Sequence, residues 1–410
     1  MKKLLLVLLI LSLFINHLNA NEKDLQIIQK DKKEYRLLDK ESIQTRQQSQ
    51  KYDWISPIDL SGNIGRNHSF SDENSRNLNN KNTKSASIGF TQSIFESGGI
   101  GFKMDYADNR FKYEMLSWEN QNSQLIYTIY NTLLDIKKLK LEINQNDYRI
   151  VNKDIELIIK KIQYEAGKTD IIELNNAIMS KNLILKEEIA LKNSLKEKEQ
   201  ELAKYTDLKY DEIEILDFQE TNKDIFLDKN YSILEADAKV EMLNSEYKIK
   251  KSQYLPKLSL RANASYSNQD EKFNSMINDT NKDDASSSGS LILTMPLYDY
   301  TKSSKIQESK IEVLKQKALV NDLKNETAFE YEQIFTKIDT YLKQNETINK
   351  NIKLYEELIG ANQISSEAGM TSKYDLEILE NTKTINEFDI LINKINILQQ
   401  YAKLYFKIKN

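Results

Sequence analysis

Tyr254-Leu255-Pro256-Lys257-Leu258-Ser259-Leu260-Arg261-Ala262-Asn263-Ala264-Ser265-Tyr266 decides the fold of this chain. From Leu258 to Tyr266 the even positions are Leu, Leu, Ala, Ala and Tyr, and the odd ones are Ser, Arg, Asn and Ser. A period of two with one apolar and one polar face is the pattern of a strand. Ser290-Leu291-Ile292-Leu293-Thr294-Met295-Pro296-Leu297-Tyr298-Asp299-Tyr300 closes the segment and supplies a second strand. About 200 residues earlier, Trp54 to Ile64 answers the first part, and Ile88 to Glu96 answers the second. The chain therefore holds two strand pairs, and each is followed by a very long helical segment.

Composition fits this plan. Among 410 residues there are 3 prolines and 10 glycines, and Pro57, Pro256 and Pro296 all lie at or in the expected strands. Long stretches with neither residue can stay helical. There is no cysteine, which excludes a disulfide framework, a thiol nucleophile and a Cys-ligated metal. The formal charge of −4, without a basic tract, gives no sign of nucleic acid. Lys2-Lys3, the apolar run Leu4–Ile15 and Leu18-Asn19-Ala20 read as a signal peptide over residues 1–20, the alternative being an uncleaved anchor.

The remaining segments follow in order: an N-terminal helix in 21–56, a short one that packs on larger neighbours; the first strand pair in 57–96; a helical hairpin in 97–205; an acidic insert and helix in 206–252; the second strand pair in 253–299; and a second hairpin in 300–410. The polar stretches 67–84 and 267–289 are expected as solvated loops. Ser97-Gly98-Gly99-Ile100-Gly101 is expected as a strand-to-helix corner, because neither GxGxxG spacing nor a P-loop lysine is present.

In the first hairpin Ile129, Ile136, Ile143, Ile150, Leu157 and Tyr164 recur every seven residues, a coiled-coil seam in a helix of roughly 60 residues, on the order of 90 Å long. In the second, Ile334, Tyr341, Ile348 and Tyr355 repeat the spacing. Glu165-Ala166-Gly167-Lys168-Thr169 ends the first long helix and Glu367-Ala368-Gly369-Met370-Thr371 ends the second, so the halves are an internal duplication.

Four short amphipathic strands cannot close a barrel. In lipid, their two open edges would leave unpaired backbone groups costing several kcal/mol each. Three copies would supply twelve strands, an even-numbered antiparallel barrel, with Asp59, Ser61, Asn63, Ser259, Arg261, Asn263 and Ser265 lining a wet lumen. Trp54, Phe95, Tyr254 and Tyr298, with Tyr52, Phe102 and Tyr300, gather at the helix ends of the strands, where an interfacial girdle belongs; ordinary core packing is the competing reading.

The Tyr-Leu-Pro-x-Leu-x-Leu start, the Thr-Met-Pro-Leu-Tyr-Asp end, the duplicated halves and the Glu-Ala-Gly-x-Thr tips together resemble the TolC-like outer-membrane factor family, over nearly all of the chain that follows residue 20. The resemblance implies a mainly α protein with a β-barrel portion. Its form would be a homotrimer with a twelve-stranded barrel in outer-membrane lipid and an α-helical periplasmic tunnel. It implies a passive duct for efflux or type I secretion that docks on a periplasmic adaptor (membrane fusion) protein and an inner-membrane pump. No cofactor, metal or nucleic acid is expected, and His17 and His68 have no partner that suggests catalysis.

The same resemblance makes the tips the functional sites. Gly167, Lys168, Thr169, Gly369, Met370 and Thr371 would receive the adaptor, and Asp375, Glu173 and the nearby Glu377 would form the pore constriction. Three copies of Asp375 in a narrow mouth would make an acidic, cation-favouring ring that resists closure by charge repulsion. The plainer reading is that Glu173 and Asp375 are first-turn acids, which helix N-termini favour. The family often carries an arginine where this chain has Thr371, and a second acid where it has Ile378. The links that close the tip therefore cannot be copied over; Lys168, Asp170 and Lys373 are candidates. A periplasmic coiled-coil scaffold or adaptor protein is the alternative function, although an adaptor needs one hairpin and this chain has two.

Overall fold

The computed structural model describes residues 25–69, 79–216, 218, 220–270, 282–367 and 372–409. The expected signal peptide and the second tip's Gly369, Met370 and Thr371 lie outside the described residues. After a 3-10 turn, Leu25–Ile27, the elements are α1 (Lys30–Tyr52), β1 (Asp59–Ser69), β2 (Asn79–Phe95), α2 (Gly99–Glu165) and α3 (Ile171–Leu202). Then come α4 (Lys223–Asp228), α5 (Tyr231–Ser252), β3 (Lys257–Asp270), β4 (Lys282–Thr294), α6 (Lys302–Glu367) and α7 (Lys373–Phe406). The order helix, hairpin, long helix, returning helix thus occurs twice. Two compact units share these elements: one is Met1–Lys40, Leu116–Leu234 and Asn321–Asn410, the other Glu41–Met115 and Glu235–Val320.

The second of these units holds one antiparallel sheet of order β1-β2-β3-β4. The register carries the period-two pattern across all four strands. Leu60 faces Ile88, Ile88 faces Ala264 and Ala264 faces Ser287; Leu260 faces Leu291, and Leu258 faces Leu293. On the other face Ser61, Ser87, Ser265 and Ser286 form one row, with hydroxyl pairs Ser61–Ser87 at 2.7 Å and Ser265–Ser286 at 2.8 Å. A bulge between Ser93 and Phe95 sets Phe95 opposite Leu258, on the apolar side. Without it, Phe95 would turn to the hydroxyl side.

The hairpins run further into the polar stretches than expected: β1 reaches Ser69, β2 starts at Asn79, β3 reaches Asp270 and β4 starts at Lys282. Backbone pairing, once registered, needs no apolar side chain. Pro57 and Pro256 precede β1 and β3, and Pro296 follows β4, where no ladder N–H is needed. The expected corner is present. Ser97 and Gly98 have φ of 50° and 87°, and a Cβ on Gly99 would stand 2.8 Å from Ser252 Oγ. Ser97 Oγ donates to the Pro256 carbonyl at 2.7 Å.

In the other unit, the expected short N-terminal helix is the start of a 23-residue one. Its Arg36 is buried: Nε donates to Asn122 Oδ1 at 2.6 Å, Nη1 to Gln121 Oε1 at 2.9 Å and Nη2 to the Trp118 carbonyl at 2.9 Å. Burial lowers the pKa of this guanidinium, and the Asp39 carboxylate opposes that. Phe226, Ile334, Ile338, Leu404 and Ile408 form a hydrophobic core, beside which Glu330 receives Lys403 Nζ at 2.8 Å and Lys407 Nζ at 2.5 Å.

The expected heptad seam of α2 changes character along its length. Ile129 and Ile136 are fully buried, but Ile143, Ile150 and Leu157 are only half-buried and Tyr164 is exposed. Gln145, Asn146 and Asn152 join Ile155 at the buried positions. Gln145 Nε2 donates to the Ile385 carbonyl at 2.9 Å and to Asp389 Oδ1 at 2.7 Å, and Asn152 Oδ1 accepts from Asn381 Nδ2 at 2.9 Å. Carboxamide hydrogen bonds thus join α2 to α7 here, beside the ring pair Tyr148–Phe388 at 5.9 Å.

Candidate functional site

Two places carry the expected function: the sheet and the helix tips. On the sheet, no other element covers the apolar face among the described residues, and beyond their cross-strand neighbours its large side chains are open, with Leu60 79% exposed and Leu293 70% exposed. Each would gain roughly 1.5–3 kcal/mol on leaving water. From Leu258 to Tyr266 the band is about 26 Å along the strand, or near 20 Å after a tilt of about 40°, close to the apolar belt of an outer-membrane barrel. The outer sides of β1 and β4 have no strand partner among the described residues.

The girdle aromatics divide. Tyr298 is 86% exposed and Phe95 is exposed beside the band. Trp54 is half-buried, and its carbonyl accepts from Gln92 Nε2 at 2.9 Å while Gln92 Oε1 accepts from the Ser56 N–H at 2.9 Å. Tyr254 is 8% exposed, with Lys302 Nζ 5.4 Å from its ring centroid. Packing within the unit, the competing reading, describes Tyr254 better.

At the first tip α2 ends in a glycine-closed turn. The Gly167 N–H donates to the Tyr164 carbonyl at 2.9 Å, and the Lys168 N–H donates to the Gln163 carbonyl at 2.8 Å. Gly167 has φ of 69°, which favours glycine, and a Cβ there would touch nothing within 4 Å. Asp170 Oδ1 then accepts from Ile172 N–H at 3.0 Å and Glu173 N–H at 2.9 Å, capping α3. Lys168 is exposed and Thr169 half-buried.

Glu173 is exposed and bridged by Lys160 Nζ at 3.1 Å. Ser372 caps α7 by accepting from the Tyr374 N–H at 3.2 Å. Asp375 and Glu377 are exposed, and among the described residues neither has a cationic partner. The first-turn acids thus differ: Glu173 is paired, and Asp375 is open.

Sequence reasoning missed the carboxamides of α2 and the buried Arg36. Asn and Gln at heptad spacing count as solvent-facing in an apolar periodicity, so Gln145 and Asn152, seven apart, were the available signal. Among the described residues, no helix is long and apolar enough to cross a membrane and no group of acids and histidines could hold a metal ion.

Comparison with known proteins bears on this geometry. Residues 224–403 match the family model described as outer membrane efflux protein. No curated protein sequence is significantly similar to the chain. Among solved structures, the outer membrane protein VceC of Vibrio cholerae is similar at a TM-score of 0.71 and 12% identity, over 93% of this chain and 94% of that one. The Campylobacter jejuni CmeC outer membrane channel is similar at a TM-score of 0.69 and 13% identity, over 92% and 84%. The open state of the Neisseria gonorrhoeae MtrE outer membrane channel is similar at 0.67 and 12%, over 94% and 87%. At these identities the likeness is one of fold.

Proposed function

We propose that this chain, which carries an outer membrane efflux protein domain over residues 224–403 and has the fold of the outer-membrane efflux channels, is the exit duct of a tripartite export system. Three copies join their sheets into a twelve-stranded barrel in the outer membrane, and their helices enclose the periplasmic passage. The duct is passive: it presents a hole and a gate, and energy comes from an inner-membrane pump reached through a periplasmic adaptor.

The observation that carries this reading is the sheet itself. It has an apolar face with no cover, a hydroxyl face opposite, and two open edges. Joining β1 of one copy to β4 of the next removes both edges, lets the apolar face meet lipid and lets the hydroxyl face meet water. Trp54, Phe95 and Tyr298 then stand at the membrane interface.

The tips are the gate and the docking site. Gly167 with Lys168 and Thr169, and Gly369 with Met370 and Thr371, receive the adaptor. Asp375, with Glu377 behind it, forms an acidic ring at the mouth; Glu173 contributes less because Lys160 already engages it. Export of small molecules and type I secretion of proteins both suit such a duct.

Fractionation of cells that express the chain tests the proposal. Trimers that survive mild heating in SDS and co-sediment with outer membrane are the expected result. A water-soluble monomer or dimer in the periplasm would overturn it and favour a coiled-coil scaffold.

A further inference from the structure

The hydroxyl face of the sheet carries an isolated cation. Arg261 lies mid-strand on β3, between Ser259 and Asn263, with Thr91 of β2 on one side and Ser290 of β4 on the other. All four neighbours are neutral. Its Nε donates to Thr91 Oγ1 at 3.3 Å, and among the described residues it has no carboxylate partner. The acid closest to it in the register is Asp59 of β1, which shares a row with Gly89 and Asn263, one row nearer the loops than Arg261. Two strand spacings and one residue pair separate them, on the order of 12 Å, more than a Debye length at physiological salt. The other charges of this face lie at its ends. Lys257 acts on Glu96 at the helix end, and Asp284 stands near the loops.

The strand order gives these two positions a further property. Asp59 is on β1 and Arg261 on β3. In a closed ring of β1-β2-β3-β4 repeats, every second strand therefore carries one of them, acid and base alternating at even spacing. Twelve strands about 4.8 Å apart and tilted by about 40° close at a backbone radius of roughly 12 Å, so the long Arg261 side chain reaches into the lumen and Asp59 lines its wall, both close to passing ions.

We infer that Arg261 and Asp59 form a charge-balanced band in the barrel lumen, which keeps the outer part of the duct indifferent to the sign of its cargo. Charge selection is then left to the helix tips. Arg261 is the specificity-determining residue of the band: removing it uncovers Asp59 and makes the barrel favour cations, whereas removing Asp59 makes it favour anions. This inference rests on the trimeric-duct reading, which alone brings β1 and β3 into alternation around a ring.

The test is the reversal potential of the full-length trimer in planar bilayers under a KCl gradient at low salt, in an Asp375→Asn background so that the tip does not mask the barrel. Arg261→Ser is expected to shift the potential toward cation selectivity and Asp59→Asn toward anion selectivity. The double variant returns to the background value, Arg261→Lys leaves it unchanged, and all shifts fade in 1 M salt, where the Debye length is about 3 Å.

Arg261→Cys adds a second measurement, since the chain has no other cysteine. A charged, membrane-impermeant thiol reagent is expected to alter its current. Conducting channels in which neither single variant shifts the potential, or in which Arg261→Cys does not react, overturn the band and leave the duct standing. Protein that forms no conducting trimer overturns the duct itself.

Discussion

Asp170 and Ser372 stand 202 residues apart and do the same thing: each is an extended residue whose side chain caps the helix returning from a tip. The preceding helices end at Glu165 and Glu367, and the following ones begin at Ile171 and Lys373, all at that same offset. The duplication is thus kept to the residue where a helix must stop and restart, and Ile136, Ile150 and Leu157 of the first seam meet Ile338, Ile352 and Ile359 at the same offset.

The first tip is held by a glycine and a cap, and both can be weakened. Gly167→Ala puts a side chain at φ of 69° without any clash, so its cost is conformational, about 1–2 kcal/mol. Asp170→Ala removes two accepted hydrogen bonds at a cost of about 1 kcal/mol. Amide hydrogen exchange at Ile172 and Glu173 is expected to speed up about fivefold or more in Asp170→Ala, with the core amides of Ile129 and Leu133 unchanged.

Two glycines near the strand-to-helix corner respond oppositely to alanine. A Cβ on Gly99 would lie 2.8 Å from Ser252 Oγ and 3.1 Å from Glu96 Oε2, whereas one on Gly101 meets open space. Gly99→Ala is expected to lower the thermal midpoint. Gly101→Ala is expected to hold or raise it, by about 0.5–1 kcal/mol of helix preference. Thermal unfolding of detergent-solubilised protein compares the two.

Acid weakens the helical unit through Glu330. Burial alone would raise its pKa, but hydrogen bonds and charge from Lys403 and Lys407 outweigh that and hold it below the usual carboxylate value. A carboxylate depressed in the folded state stabilises fully above its unfolded pKa, and the stabilisation is lost as pH falls through the folded one. The parent protein is therefore expected to lose thermal stability below the ordinary Glu range more steeply than Glu330→Gln. The variant is the less stable of the two at neutral pH, because its lysines lose their counter-charge. Melting curves taken from neutral pH down into the acid range decide this.

The tip acids are separable. Asp375→Asn is expected to reduce the cation preference of single channels and their block by multivalent cations. Glu173→Gln is expected to change both less, because Lys160 already faces that carboxylate at 3.1 Å. No change from Asp375→Asn would mean that Asp375 does not line the constriction, and equal effects from the two would mean that Lys160 does not shield Glu173.

Much of this architecture is legible in the residues, for identifiable reasons. Period-two alternation at Leu258–Tyr266 gives both the strand and its faces, and the register keeps those faces aligned across four strands. Gly167 marks the turn because the αL position needs it. What stays hidden is polar burial. Gln145, Asn152 and Arg36 look solvent-facing until their partners Asp389, Asn381 and Asn122 arrive from distant parts of the chain. The bulge that returns Phe95 to the apolar side has no local signature either, and Tyr254, aromatic and near an expected interface, is buried.

The most direct test of the barrel is disulfide cross-linking between edge strands of different copies, one cysteine on β1 and one on β4, in a chain that has none of its own. Pairs are taken stepwise along the hydroxyl face around Ser61 and Ser286, because the inter-copy register sets which pair meets. The expected result is a covalent trimer on denaturing gels for one register of pairs, formed in membranes and absent for pairs two steps away. If no register cross-links, and the protein stays dissolved without detergent, the sheets do not join between copies and there is no barrel.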